Sequence, residues 1–171
     1  LRTAKLASLN SLGAKEAEHE LLQCCGSKRW AERMSTERPF KTLDDLIGKA
    51  DVIWWSLDPG DWLEAFLSHP KIGEKKAAAA TSEQSRQWSA AEQVGIADAA
   101  NSTLAALAEL NQKYQDKFGY IFIVCASGKS SEEMLATLRS RLANDRDDEL
   151  LIAAGEQAKI TSLRLQKLVE G

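Results

Sequence analysis

Only one stretch of this chain reads as a β-strand, and a single strand has nothing to pair with. Residues 118–125, Phe-Gly-Tyr-Ile-Phe-Ile-Val-Cys, are rich in aromatic and β-branched side chains. No comparable run occurs elsewhere, and a strand left alone would bury unpaired backbone N–H and C=O groups. These residues are therefore expected to form an extended segment inside a helical protein. The rest of the sequence carries helical spacing and helix caps, and the expected fold is all-α, a single compact domain of seven to nine helices. At 171 residues and 18.8 kDa, such a chain buries about 70% of its surface on folding, enough for one real core.

Local signals place most of the helices. Residues 1–15 are small and polar with no sustained face, which marks them as a flexible segment ahead of a helical domain over residues 16–171. Residues 16–30 read as a first helix, interrupted by Gly26-Ser27, with Ser27 able to cap the turn that carries Trp30, Ala31 and Met34. Thr42 is placed to cap a helix through Leu43, Leu46 and Ile47. Asp58-Pro59 couples a cap acceptor to proline at the first helical position. The helix it opens sets Trp62, Phe66 and His69 on one side, and Pro70 stops it. Residues 73–89 are alanine-rich and open to loop or short helix. From Ser89 a helical pattern runs to about Asn111, with a bend or second start at Gly95. Ser130 and Glu133 fit a capping box. A last helix over about 147–169 would be roughly 33 Å long.

Composition excludes several classes of function. With 22 Lys plus Arg against 25 Asp plus Glu, the formal charge is -3, which argues against a dominant nucleic-acid interface. The longest apolar run, residues 121–126, is far too short to span a bilayer. Cys24, Cys25 and Cys125 are an odd set with two adjacent, which suits a reducing compartment better than a disulfide framework. His19 and His69 are the only histidines, so no three-histidine zinc site can form. Gly128-Lys129-Ser130 resembles the end of a phosphate loop, but Ile123 stands where its first glycine belongs. The chain begins at Leu1 rather than Met, and a preceding segment, including a targeting one, is compatible with that.

Five residues are candidates to carry chemistry. His69 shares a face with Trp62 and Phe66; it is either a core histidine satisfying a carbonyl or a neutral imidazole able to move a proton. Glu92 is either the third-position partner of Ser89 in a capping box or a carboxylate aimed at His69. Gln93 offers an amide to a polar ligand. Arg164 stands in the stripe Ile160, Arg164, Leu168. Its head either snorkels to water or stays inside and demands an anionic or carbonyl-rich partner. Asn111 either binds a ligand or caps its helix. Imidazole, carboxylate, amide and guanidinium together suit proton transfer on a small anionic molecule.

Several motifs then resemble one family. They are Arg38-Pro39-Phe40, the run from Leu63 through Ser68-His69-Pro70-Lys71-Ile72-Gly73, and Ser89-Ala90-Ala91-Glu92-Gln93. Leu110-Asn111-Gln112-Lys113-Tyr114, Lys117-Phe118-Gly119-Tyr120-Ile121-Phe122-Ile123 and Lys159-Ile160-Thr161-Ser162-Leu163-Arg164-Leu165 follow in order. The series resembles the 2-oxo-4-hydroxy-4-carboxy-5-ureidoimidazoline (OHCU) decarboxylases of urate breakdown, over roughly residues 16–169.

The resemblance implies a cofactor-free helical enzyme, usually a homodimer, that turns a small anionic ureidoimidazoline into (S)-allantoin and carbon dioxide. It gives His69 and Glu92 catalytic roles and Gln93 and Arg164 the task of holding substrate; on that basis Glu92 is expected to orient His69. Ser89 matches a pocket serine, Gly119, Tyr120, Ile121, Phe122 and Ile123 match a segment lining the cavity, and Pro39 lies in a motif beside the pocket. Tyr120 stands where phenylalanine is common, and residues 73–85 match poorly. The implied location is cytoplasmic in a bacterium and peroxisomal in a eukaryote, with neither nucleic acid nor membrane as a partner. Some family members carry a transthyretin-like hydrolase domain after this one; the sequence here ends at Gly171.

Overall fold

The computed structural model describes residues 2–72, 82–96 and 99–170, with side chains from Ala4 onward. Among the described residues there are nine α-helices: α1 (Arg2–Ser11), α2 (Ala14–Leu22), α3 (Lys28–Thr36), α4 (Leu43–Ser56), α5 (Pro59–Phe66), α6 (Glu83–Glu92), α7 (Asn101–Phe118), α8 (Ser131–Arg141) and α9 (Arg146–Glu170). A short 3-10 turn, Val94–Ile96, follows α6. The all-α expectation holds. Residues 73–81, within the alanine-rich stretch left open to loop or helix, lie outside the described residues. The contacts gather into two compact units, Leu1–Ala65 with Ala158–Gly171, and Phe66–Gln157.

The first unit is a set of capped helices closed over aromatic side chains. Ser27 caps α3 by accepting the Trp30 N–H at 3.2 Å, and Thr42 caps α4 by accepting the Asp45 N–H at 3.0 Å. Each such cap satisfies an otherwise orphaned N–H, worth about 1 kcal/mol. Trp30 is fully buried and its indole N–H donates to the Ala50 carbonyl at 3.2 Å; the Trp62 indole donates to the Trp54 carbonyl at 2.9 Å. The opening residues, where no helical face was expected, form α1. Two leucines three apart, Leu6 and Leu9, supply the missing face and are buried. Cys24 and Cys25 are buried free thiols in the same unit.

The second unit has a core of Ile72, Leu107, Tyr114, Phe122, Val124, Met134, Leu135 and Leu138. Ser130 and Glu133 form the expected capping box at the start of α8. The pattern expected from Ser89 with a bend or second start at Gly95 begins earlier, as α6 (Glu83–Glu92), and is broken by the 3-10 turn before α7. Gly95 lies in that break, and α7 runs on past Asn111 to Phe118. Gly119 ends α7 with φ +84°, a left-handed conformation that a side chain would strain.

Beneath this core lies a buried ionic cluster. Glu149, on α9, accepts from Arg141 Nε at 2.9 Å, from Asn144 Nδ2 at 3.1 Å and from the Tyr114 hydroxyl. The Arg141 guanidinium stacks over Phe122, 4.6 Å from the ring centroid. Burial first, and then the bond to Glu149, push the Tyr114 hydroxyl well above the usual phenol range, so it keeps its proton and donates it. For Arg141, burial opposes the charge, but the bonds to Glu149 outweigh it and hold the guanidinium above its ordinary value.

Removing one member of a buried pair leaves the other charge uncompensated, at a cost of about 3–5 kcal/mol. E149Q is therefore expected to lower stability by about 3 kcal/mol, read as a fall in the urea midpoint with an unchanged slope. The two thiols give a second prediction. Burial raises both, Cys25 from 9.0 to about 12, against smaller lowering by the Ser27 backbone N–H, the Thr161 hydroxyl and Arg164. Between those values the unfolded chain releases a proton that the folded chain retains, so stability falls as pH rises from 9.0 to about 12. C25A is expected to flatten that fall in urea titrations, and both native thiols to resist alkylation at about pH 8 while the unfolded chain reacts.

Candidate active site

His69 follows α5 rather than ending it. The helix stops at Phe66, and a further backbone bond runs from the His69 N–H to the Phe66 carbonyl at 3.3 Å. Downstream, the Ile72 carbonyl accepts from Asn111 Nδ2 at 3.0 Å. Asn111 is thus a buried mid-helix anchor for the strip after His69, not the cap of α7 that was one of its two readings. The imidazole is 7% exposed, and its Nε2 lies 2.6 Å from Gln157 Oε1 on α9. An amide oxygen only accepts, so in this contact Nε2 is the donor.

Glu92 and Ser89 are not a capping box. Ser82 caps α6, its hydroxyl accepting the Ser85 N–H at 3.1 Å, and this puts Ser89 and Glu92 in the last turn. Both are buried. A carboxylate at a helix C-terminus opposes the helix dipole, so helix stability does not account for Glu92. Gln93 is the C-cap, half-buried, with its N–H on the Ser89 carbonyl at 3.2 Å. Gly95, in the next turn, passes so close to the loop before α8 that a Cβ there would lie 2.3 Å from the Lys129 carbonyl.

Among the described residues the extended segment over residues 121–126 has no sheet partner, and side chains bind it. The Ile123 carbonyl accepts from Arg141, the Cys125 N–H donates to Glu156 Oε1 at 3.2 Å, and the Cys125 carbonyl accepts from Lys129 Nζ at 2.6 Å. Lys129, the lysine of the phosphate-loop-like triplet, is thereby committed to backbone. Phe122 and Ile123 are buried, Tyr120 and Ile121 half-buried, and Gly119 exposed. Burial raises the Cys125 thiol, and the charges of Glu156 and Glu92 add to it, which puts Glu92 within electrostatic reach of this segment. Burial also raises Tyr120, against a smaller lowering by the Tyr114 hydroxyl.

Pro39 and Arg164 belong to the other unit. Arg164 does not snorkel: it is 2% exposed, and its Nη1 donates to the Gln23 carbonyl at 3.2 Å. That is the carbonyl partner an inward guanidinium requires. Pro39 is exposed and follows a cis Arg38-Pro39 bond. Its neighbours do the fixing. Arg38 donates to the Leu9, Leu12 and Ser35 carbonyls at 3.0, 2.6 and 3.0 Å, and Asn10 brackets the Phe40 backbone at 2.8 and 2.9 Å.

One unit therefore holds His69, Ser89, Glu92, Gln93 and the segment from Gly119 to Ile123. Sequence reasoning missed Gln157 and Glu156. The only signal for them was polar residues within an otherwise apolar helix face, 88 residues from His69 in the case of Gln157. The set can exchange a proton at an imidazole nitrogen and present hydroxyl and amide groups to a polar ligand. Among the described residues no group of three or more His, Cys, Asp or Glu could hold a metal ion, and no helix is long and apolar enough to cross a membrane.

A family model for OHCU decarboxylase matches residues 10–166. The uric acid degradation bifunctional protein TTL of Arabidopsis thaliana is 41% identical over 151 residues, covering 88% of this chain and 47% of that protein. The 2-oxo-4-hydroxy-4-carboxy-5-ureidoimidazoline decarboxylase of Amia calva is 30% identical, covering 78% of this chain and 75% of that protein. A crystal structure of OHCU decarboxylase in the presence of (S)-allantoin superposes with a TM-score of 0.77 at 41% identity, covering 89% of this chain and 98% of that one. The chain spans less than half of the bifunctional urate-degradation proteins it matches, 47%, 32% and 27% of three of them. On the match over residues 10–166 and the shared fold, the chain belongs to the OHCU decarboxylase family.

Proposed function

We propose that this chain decarboxylates 2-oxo-4-hydroxy-4-carboxy-5-ureidoimidazoline to (S)-allantoin and carbon dioxide. Family membership supports the substrate class, and the observation that carries the chemistry is a buried imidazole, His69, whose Nε2 lies 2.6 Å from Gln157 Oε1. The substrate's carboxylate is borne by a carbon that also carries a hydroxyl and adjoins a ring carbon–nitrogen double bond. When the bond to the carboxylate breaks, its electron pair becomes a ring carbon–carbon double bond and the imine pair moves onto nitrogen. The ring itself thus receives the electrons. His69, oriented by Glu92, takes the hydroxyl proton as that oxygen becomes a carbonyl. The ring nitrogen takes up a proton, and as the hydroxyl becomes a carbonyl a second proton adds to the former imine carbon, on the face that gives the S product.

Gln93 and Arg164 are assigned to the ureido and ring oxygens. An inward guanidinium that already binds a carbonyl at 3.2 Å has the donors for such a task. Ser89, Pro39 and the backbone from Gly119 to Ile123 are assigned to the pocket wall. Weak solvation of the leaving carboxylate by the apolar side favours its loss as a neutral gas. A homodimer, read by sedimentation velocity, and a cytoplasmic or peroxisomal location according to source, read by fractionation, complete the proposal.

The test generates the substrate in place from urate with urate oxidase and hydroxyisourate hydrolase and follows allantoin by circular dichroism. The expected result is rapid (S)-allantoin, with H69A and E92A each slowed by about 100-fold or more while their folds persist. Product no faster than spontaneous decay, and racemic, would overturn the reading. R164K is expected to raise KM more than it lowers kcat, because lysine keeps the charge but loses the fork.

A further inference from the structure

We propose that Asn111 is a positioning residue for His69: the hydrogen bond from its amide to the Ile72 carbonyl fixes the strip that carries the imidazole. The consequence for turnover rests on the decarboxylase reading, but the geometry does not. The strip His69-Pro70-Lys71-Ile72 has left α5, and Pro70 has no N–H with which to tie it down. At one end the His69 N–H reaches the Phe66 carbonyl at 3.3 Å. At the other, Asn111 Nδ2 donates to the Ile72 carbonyl at 3.0 Å, and both residues are buried. A carbonyl only accepts, so the amide turns its nitrogen to Ile72 and its oxygen away.

Stability does not account for an asparagine here. Among the described residues nothing donates to Asn111 Oδ1, which is buried, and a buried acceptor without a partner weakens a fold. Its neighbours on the same face of α7, Leu107 and Tyr114, belong to the apolar core, where a leucine would pack as well. What the amide adds is a connection. Tyr114, one turn further along α7, donates to Glu149 of α9. About two turns beyond Glu149 on that helix, Gln157 meets His69 Nε2 at 2.6 Å. The bonds thus close a circuit, from α7 through the strip to the imidazole, into α9 and back to α7. All its members lie in one compact unit, Phe66–Gln157. The ring is referenced to α7 through its backbone and to α9 through its side chain, and losing the Asn111 donor opens the circuit at the backbone end.

The experiment compares N111L, which keeps the shape of the side chain and loses the donor, with L138A, a truncation in the same core. Each is read three ways: urea unfolding, turnover in the coupled allantoin assay, and the His69 ring signals in proton–nitrogen NMR of histidine-labelled protein, assigned with H69N. For N111L the urea midpoint is expected to stay near that of the wild type, since the lost bond is offset by removal of an unpaired oxygen. Its kcat should fall about tenfold or more with KM within about twofold, and the His69 signals should move. L138A should do the reverse, with a lower midpoint, kcat within about twofold and His69 signals in place. An N111L variant with unchanged kcat, or a loss of kcat that L138A matches, would overturn the proposal. So would an N111L chain that fails to fold, because the amide would then be an element of stability. If the wild type gave no turnover while the His69 signals moved in N111L alone, the decarboxylase reading would fail and the positioning of His69 by Asn111 would stand.

Discussion

The ion pair between Arg141 and Glu149 carries the second unit, because it lets a single extended segment exist inside a helical protein. Backbone polar groups that leave water must find partners, and among the described residues no neighbouring strand supplies them. Arg141 does two things at once. It satisfies the Ile123 carbonyl with one nitrogen and binds Glu149 with the others, while its flat face covers Phe122. A guanidinium is suited to this, since it has five donors in a plane and stays charged when buried. Glu149 in turn needs more than one donor to tolerate complete burial, and Tyr114 and Asn144 add theirs. The cluster is costly to assemble and harder to break than to build, because any missing member strands a charge.

The α9 helix extends the same arrangement toward the site. Glu149 and Glu156 are seven residues apart, two turns of helix, and so lie on one face. The first fixes the segment through Arg141 and the second binds it directly at Cys125. Gln157 follows and meets His69. The imidazole and the segment are therefore referenced to one rigid element rather than to loops that move independently. Proton transfer depends on heavy-atom distances held within a few tenths of an ångström, and a helix offers that constancy where a loop does not.

What could be read from the sequence divides along the same physical line. Caps at Ser27, Thr42 and Ser130 were legible because donor and acceptor lie within three residues of each other. The Ser89–Glu92 pair has the same spacing and misled, because α6 begins seven residues earlier at Ser82 and nothing local distinguishes the two serines. Asn111 was taken for a ligand group or a cap because its partner, the Ile72 carbonyl, is 39 residues away. His69 and Arg164 were legible as polar groups on apolar faces, although only the structure decided that both heads stay inside. Gln157 was invisible, as its role is defined by a contact across 88 residues. The family resemblance supplied residue roles, but the supports behind those residues are particular to long-range packing.

Gly95 shows how such a support reaches Glu92. It stands three residues after Glu92, in the 3-10 turn that separates α6 from α7. Its α-carbon is pressed against the Lys129 carbonyl so closely that any Cβ would overlap it at 2.3 Å. Neither side can yield easily. The clashing atom is backbone, and Lys129 is itself tied down, its ammonium bound to the Cys125 carbonyl and its chain running directly into the capping box of α8. A side chain at this position would have to push the turn outward, carrying the end of α6 with Glu92 and Gln93. The glycine is thus not a concession to flexibility, since its φ lies outside the left-handed range reserved for glycine. It is a contact surface, and the placement of the acid is set by how closely two backbones can approach.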